Sequence, residues 1–415
     1  MQRSIQRRFI GGAAAVAASI ALSACGSGYS TTTPTNGALS SSNTALTVMI
    51  GSSGDAETTA VKSAVADWSK SSGTDASVVA ASNLGQQLSQ GFAARKPADV
   101  FYLSTDALAG YASNGSLLAY GDQLPNKDDF YPSLVKSFTY DGKFYCAPKD
   151  FSTLQLIINT DMWEKAGLSD SDLPTTWDQL ESVSRKLTTA DHVGLGISGE
   201  YARIGSFMAQ AGGSLMNDES TEATADSDAN IEALKYVKKL LAAGNLKYAK
   251  DLGAGWGGEA LGKGLAAMTI EGNWITGALR ADYPNLKYRV AELPAGPTGK
   301  GTLHFTNCWG IAADSPNQAA ALKLVEQLTS KGNQLAFSKA FGPMPSVKSA
   351  ASEWKSANPV LVPFLSAADY AKGVPAGKGT ADVVAELNSK LETLATSDPQ
   401  AILGAAQKNL EALAR

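Results

Sequence analysis

The residue types able to do chemistry in this chain point away from metals and phosphates. There are two histidines in 415 residues, His192 and His304, and neither takes part in an HExxH or similar ligand spacing. The glycine-rich run Gly253-Ala254-Gly255-Trp256-Gly257-Gly258-Glu259 lacks the Lys-Ser/Thr that follows the glycines of a phosphate-cradling loop. Carboxylates and tryptophans remain. Trp256 stands in that run with little apolar sequence nearby to bury it, which reads as an aromatic platform in a mobile loop. Trp274 and Glu271 lie three residues apart, just after an apolar strand that the pattern places at Leu265 to Ile270. A glycosidase needs only two carboxylates, so the scarcity of histidine alone leaves an enzyme open.

Short apolar strands alternating with amphipathic helices must position these residues. The pattern predicts strands at Ala45 to Ile50, Ala76 to Ala80 and Asp99 to Leu103, separated by helices at Ala56 to Ser71 and Leu84 to Ala94. This βαβαβ series implies an α/β fold with a mostly parallel sheet, helices on both faces, and ligand sites beyond the carboxyl ends of strands. Further on, Leu154 to Asn159 reads as a strand and Thr176 to Leu187 as a helix capped by Thr175. Ala229 to Ala243, Asn317 to Lys331 and Ala381 to Ala395 read as helices. With 44% hydrophobic and 18% charged residues, the chain exceeds what a single core usually supports, so two domains are expected.

The N-terminus carries an export signal. Arg3, Arg7 and Arg8 precede an apolar run from Phe9 to Leu22, too short to span a bilayer, which ends at Leu22-Ser23-Ala24-Cys25. That ending resembles the lipobox of bacterial lipoproteins, in which residues 1–24 are removed and the Cys25 thiol carries the lipid. Phe9 directly follows the arginine pair, which fits general secretion better than twin-arginine export. Residues 25–43 are mostly Ser, Thr, Gly, Asn and Pro and read as a flexible tether with a reach of a few tens of Å. Cleavage removes three arginines and no acid from a chain of formal charge −4. The resulting acidic body argues against nucleic acid as a partner.

Several ordered blocks resemble the family 1 extracellular solute-binding proteins, the sugar receptors of ABC importers. They are Lys96-Pro97-Ala98-Asp99-Val100-Phe101, Gly142 to Asp150, Asn159-Thr160-Asp161-Met162, Pro174-Thr175-Thr176-Trp177, Ala267 to Trp274, and Leu293 to Pro297 with the strand Phe305 to Ala312. The resemblance covers roughly residues 45 to 415. It implies a two-lobed periplasmic-binding-protein-like fold (type II) that closes over its ligand by hinge motion. Residues 44–147 plus 309–370 would form one lobe and 151–305 plus 374–415 the other, with crossings near 148, 307 and 373. The implied partners are a carbohydrate ligand, the permease subunits of an ABC transporter, and the membrane through the Cys25 lipid, on the extracytoplasmic face. The implied body is monomeric and needs no cofactor.

A neutral sugar asks for charged or amide groups on its hydroxyls and aromatic rings on its C–H faces. Under the resemblance, Trp274 matches a stacking tryptophan, with Glu271 three residues earlier as an acceptor for hydroxyls. Glu200 matches a cleft acid of the second lobe, and Asp106 one of the first. Asp150 would lie on the cleft floor. Trp256, Trp309, Asn307, Ser53 and Asp55, with Ser52, complete the candidate set. Leu103 departs from the aromatic platform that maltose-binding relatives place at the end of the Asp99 strand, which counts against malto-oligosaccharide as ligand. Cys146 and Cys308 would occupy neighbouring hinge strands, where either a disulfide or two buried thiols fits. Asp106 and Glu200 could serve a glycosidase, but across an opening cleft they would not hold the fixed separation that catalysis requires. A lipid-anchored hydrolase and a surface adhesin are thus the alternatives to a receptor without enzymatic activity.

Overall fold

The computed structural model describes residues 38–217 and 220–413, and residues from Leu39 onward form one unit. The leader, Cys25 and the tether up to residue 37 lie outside the described residues. The expected tether runs to residue 43, but the chain is fastened sooner. The Ser40 amide donates to Gln318 Oε1 at 3.0 Å and its hydroxyl to the Ser315 carbonyl at 2.7 Å.

Strands β1 (Leu46–Ile50), β2 (Ala76–Ala80) and β3 (Val100–Ser104) pair in parallel through the βαβαβ series. Their flanking helices are Asp55–Ser72 and Leu84–Ala93. A small hairpin of β4 (Thr139–Tyr140) and β5 (Lys143–Phe144) precedes β6 (Ala147–Thr153), and after Leu154 alone comes β7 (Gln155–Asn159) of a second sheet. That sheet adds β8 (Val193–Ile197), β9 (Leu246–Tyr248), β10 (Ala266–Glu271) and β11 (Tyr288–Ala291). The chain then returns along β12 (Thr302–Ile311) and touches the first sheet again at β13 (Ala371–Gly373).

The first sheet runs β13-β12-β3-β1-β2 with β6 on the other edge of β12, and the second runs β11-β7-β10-β8-β9. Most strands of each sheet share one direction, in keeping with the mostly parallel expectation, and the exceptions are β12 with β13 in the first sheet and β7 in the second. β12 is antiparallel to β3 and β6, and β7 is antiparallel to β10 and β11, because these strands enter from the connecting side rather than through a helical crossover. Each sheet has its own core. One gathers Val48, Phe101, Leu103 and Leu324, the other Leu156, Leu195, Phe207, Met268 and Leu391.

Polar residues account for the main local departures. The expected helix from Asn317 to Lys331 is two helices, Gln318–Leu328 and Lys331–Phe341. Between them the Thr329 hydroxyl donates back to the Val325 carbonyl, and Ser330 caps the second helix. The helix Trp177–Leu187 is capped by Thr176 rather than Thr175, whose amide and hydroxyl bond Gln179 instead.

Candidate functional site

A cavity of about 460 Å³ opens where β6 and β12 run side by side. The ends of β1 and β3 reach it through Ser53 and Thr105, and the end of β10 through Asn273 and Trp274. This is the strand-end location expected for a ligand site in α/β architecture.

A β-bulge shapes the floor. In the β6–β12 pairing Asn307 faces Asp150 and Cys308 faces Pro148, which leaves Lys149 as the extra residue. Bulges redirect side chains beside functional sites, and this one sends Lys149 inward with its side chain 8% exposed. Pro148 is tolerated because, among the described residues, β12 is the only strand beside β6, whose other side meets the chain in a single bridge from Phe151 to Met344. The Lys149 ammonium lies 3.2 Å from Glu57 Oε1, contacts Asp150 Oδ2, and sits 4.4 Å from the Tyr102 ring centroid.

The two Glu57 oxygens are fully committed. Oε1 also accepts from the Tyr102 hydroxyl at 3.0 Å, and Oε2 accepts from the Ser53 amide and hydroxyl at 2.8 and 2.7 Å. Burial works against charge on Glu57, but Lys149 and these donors outweigh it and hold its carboxyl below the usual range. Burial likewise disfavours the Lys149 ammonium, and its two carboxylate neighbours hold its pKa above the usual lysine value. Burial pushes the Asp150 carboxyl up against the pull of Lys149. Asp150 Oδ1 and the Asn307 amide carry no hydrogen bond to another described residue, and both residues line the cavity.

The opposite wall carries Trp274, 40% exposed. Its ring meets Phe305 edge-on at 5.5 Å, and a Cβ on Gly272 would lie 2.2 Å from it, so this close approach requires glycine. Arg280, from the last turn of the helix Ile275–Asp282, adds a charged donor with no acidic partner among the described residues. Asn273 ties this wall to the floor, with its amide on Ser152 Oγ at 2.8 Å and its Nδ2 on the Gly342 carbonyl at 3.0 Å.

Of the sequence candidates, Trp274, Asp150, Asn307 and Ser53 border this cavity together. Glu271 does not. It is fully buried behind Trp274, with its oxygens occupied by Arg203 and by the Trp274 indole N–H at 3.0 Å. Glu200 precedes the helix Tyr201–Gln210 and pairs with Arg203 at 2.8 Å, away from the lining. Asp106 is exposed in the first turn of the helix Thr105–Ser113, while its neighbour Thr105 lines the cavity. Asp55 opens the helix Asp55–Ser72 on its exposed side, and Ser52 bonds the Gly54 carbonyl at 2.6 Å.

Two of the candidate tryptophans lie away from the cavity lining. Trp309 is 1% exposed and packs edge-on against Tyr102 at 4.7 Å, because β12 is internal to its sheet at that point. Trp256 folds over Gly258 and packs against the cluster of Leu261 and Ile275 rather than standing free. Apolar sequence distant along the chain supplies the burial its own loop lacks. Cys146 and Cys308 form a disulfide with Cα atoms 5.7 Å apart. Among the described residues, no group of three His, Cys, Asp or Glu could hold a metal, and no helix is long and apolar enough to cross a membrane.

Glu57, Lys149, Arg203 and Arg280 escaped the sequence reading. Lys149 stood beside Asp150 in a block already singled out, and a polar residue next to a proline in a crossing strand was its available signal. Glu57 and Arg203 look like ordinary solvated helix charges, and only tertiary packing reveals their burial.

The family model for bacterial extracellular solute-binding proteins matches residues 51–335. A Brucella abortus chain named as a binding protein is 26% identical over 344 residues, covering 79% of this chain and 82% of its own length. The diacetylchitobiose-binding protein of Streptomyces coelicolor is 25% identical over 280 residues, 65% of each chain. Among solved structures, the sugar-binding protein MalE of Xanthomonas citri superposes with a TM-score of 0.79 at 22% identity, covering 89% of this chain and 98% of that one. These two-lobed α/β likenesses agree with the pair of sheets and the cavity beside their connecting strands. The chain belongs to the bacterial extracellular solute-binding protein family.

Proposed function

We propose that this protein is the receptor of an ABC importer that captures a sugar, an oligosaccharide by preference, and hands it unaltered to a membrane permease. The observation that carries this reading is Trp274, an exposed ring on one cavity wall, facing a floor that offers Asp150 Oδ1 and the Asn307 amide. A ring suits the apolar face of a pyranose, and an acceptor beside an amide suits its hydroxyls. The diacetylchitobiose-binding relative and the sugar-binding structural neighbour support this ligand class.

One lobe, in this reading, is 44–147 with 309–370 around the first sheet, and the other is 151–305 with 374–415 around the second. The positions 148, 307 and 373 fall on β6, β12 and β13, which are adjacent strands. Each lobe supplies part of the sugar's contacts, so the closed state gains its extra affinity only when ligand is present. Removal of residues 1–24 and lipidation of Cys25 would hold the monomeric body on the extracytoplasmic face of the membrane, as lipid chains with more than one acyl group allow.

The test is a melting-temperature scan of the lipid-free body against diacetylchitobiose, lactose, maltotetraose and monosaccharides, with product analysis of any hit. Stabilisation without cleavage supports the receptor. Cleavage of the sugar sinks it in favour of a hydrolase, and indifference to every sugar sinks the ligand class.

A further inference from the structure

Behind the exposed face of Trp274 lies a buried ion pair that the ligand-binding reading leaves unused. Glu271, at the end of β10, has no exposed surface, and Arg203, from the helix Tyr201–Gln210, has a side chain only 11% exposed. Arg203 donates through Nε and Nη2 to the two Glu271 oxygens at 3.3 and 2.5 Å, and through Nη1 to Glu200 at 2.8 Å. Glu271 Oε2 in turn accepts the Trp274 indole N–H at 3.0 Å, while the Arg203 guanidinium carbon lies 5.6 Å from the Trp274 ring centroid. The indole is therefore held twice, at its N–H by the carboxylate and near its ring by the guanidinium.

As a stability device this is a poor use of two charges, because desolvating an ion pair commonly costs as much as the pairing returns. As an orienting device it is apt. A half-exposed tryptophan free to change rotamer would have to be ordered on every binding event, and fixing it in advance removes that cost from the affinity. The planar guanidinium matches a carboxylate with two parallel donors, a geometry that lysine cannot reproduce.

We propose that Arg203 and Glu271 are positioning residues that hold Trp274 in its ligand-ready orientation before ligand arrives. The affinity part of this inference rests on Trp274 being the sugar platform, whereas the orientation part does not.

Two variants separate positioning from simple loss of fold. Arg203→Lys keeps a charge opposite Glu271 but removes the fork and the ring contact. The double variant Arg203→Met with Glu271→Met removes both charges together, a replacement that buried pairs tolerate, and takes away the indole's acceptor. The first readout is the Trp274 indole ¹H–¹⁵N resonance, assigned by its disappearance in Trp274→Phe, in ligand-free protein lacking residues 1–25. The second is the Kd for diacetylchitobiose and for maltotetraose.

In the native chain the resonance is expected downfield and slow to exchange with solvent. In both variants it should move upfield and exchange faster, and Kd should rise about tenfold while the protein stays folded. An unmoved resonance in both variants overturns the inference, and so does a moved resonance with unchanged Kd for a sugar whose binding Trp274→Ala weakens. If neither sugar binds the native chain, the ligand class falls, and the resonance alone decides whether Arg203 and Glu271 position the ring.

Discussion

Lys149 is the residue on which the floor of the cavity depends, because it neutralises two carboxylates that would otherwise sit buried with like charge. Replacing it with Met would leave Glu57 and Asp150 facing each other without a counter-ion, and breaking such a buried pair costs about 3–5 kcal/mol. The expected outcome is a large drop in the urea midpoint of Lys149→Met, with Glu57→Gln/Lys149→Met losing less because no unpaired charge remains at Glu57. Equal losses in the two variants would contradict the account. At this scale sequence reading brought forward Trp274, just beyond the end of β10, and Asp150, inside β6, and both border the cavity. It failed where identity says little about burial. Glu271 and Trp309 have the right residue types for a sugar site, yet one is sealed behind Trp274 and the other lies inside a sheet. Nothing local distinguishes an exposed acid from one that a distant arginine has drawn inside.

Among the elements, β12 joins the two halves and carries the one buried histidine. His304 faces Thr153 on one side and Gly373 on the other, and its Nε2 lies 2.8 Å from Ser137 Oγ. Burial lowers its pKa from the usual histidine range to about 4, only partly offset by the Ala371 carbonyl. The folded state thus binds fewer protons than the unfolded state between pH 6.5 and about 4. Stability from this group is complete above pH 6.5 and is lost as pH falls toward 4, at no more than about 1.4 kcal/mol per pH unit. A melting-temperature profile should be flatter across that window in His304→Gln than in the native chain. Parallel profiles would show that another group carries the slope. Among elements, the βαβαβ start was legible almost to the residue because apolar periodicity is strong there. β6 was not, since Pro148, Lys149 and Asp150 break any period and its partner β12 lies more than 150 residues away. The Thr329-Ser330 break was visible only as a pair of ordinary polar residues inside a helical pattern.

Across the whole molecule, the disulfide joins the residue just before β6 to β12 beside it, across a sequence separation of 162 residues. A cross-link of this kind limits the unfolded chain, and its loss typically costs about 2–5 kcal/mol. The denatured, unreduced mature protein should therefore show no thiol reactive to Ellman's reagent if Cys25 carries its lipid, and the Cys146→Ala/Cys308→Ala variant should melt lower. Two reactive thiols per chain would contradict the pairing. The two-lobed architecture was legible because length, composition and ordered blocks agree, but the pairing of Cys146 with Cys308 needed the geometry of adjacent strands to decide it. Sugar capture at Trp274 is tested by calorimetry of diacetylchitobiose, lactose and maltotetraose against native protein and Trp274→Ala. Burying an aromatic surface contributes about 1.5–3 kcal/mol, so loss of the ring should weaken the bound sugar by about tenfold or more. Saturable binding of a sugar that falls by that factor is the result expected. Sugar binding that is indifferent to Trp274, or no sugar binding at all, would contradict the account.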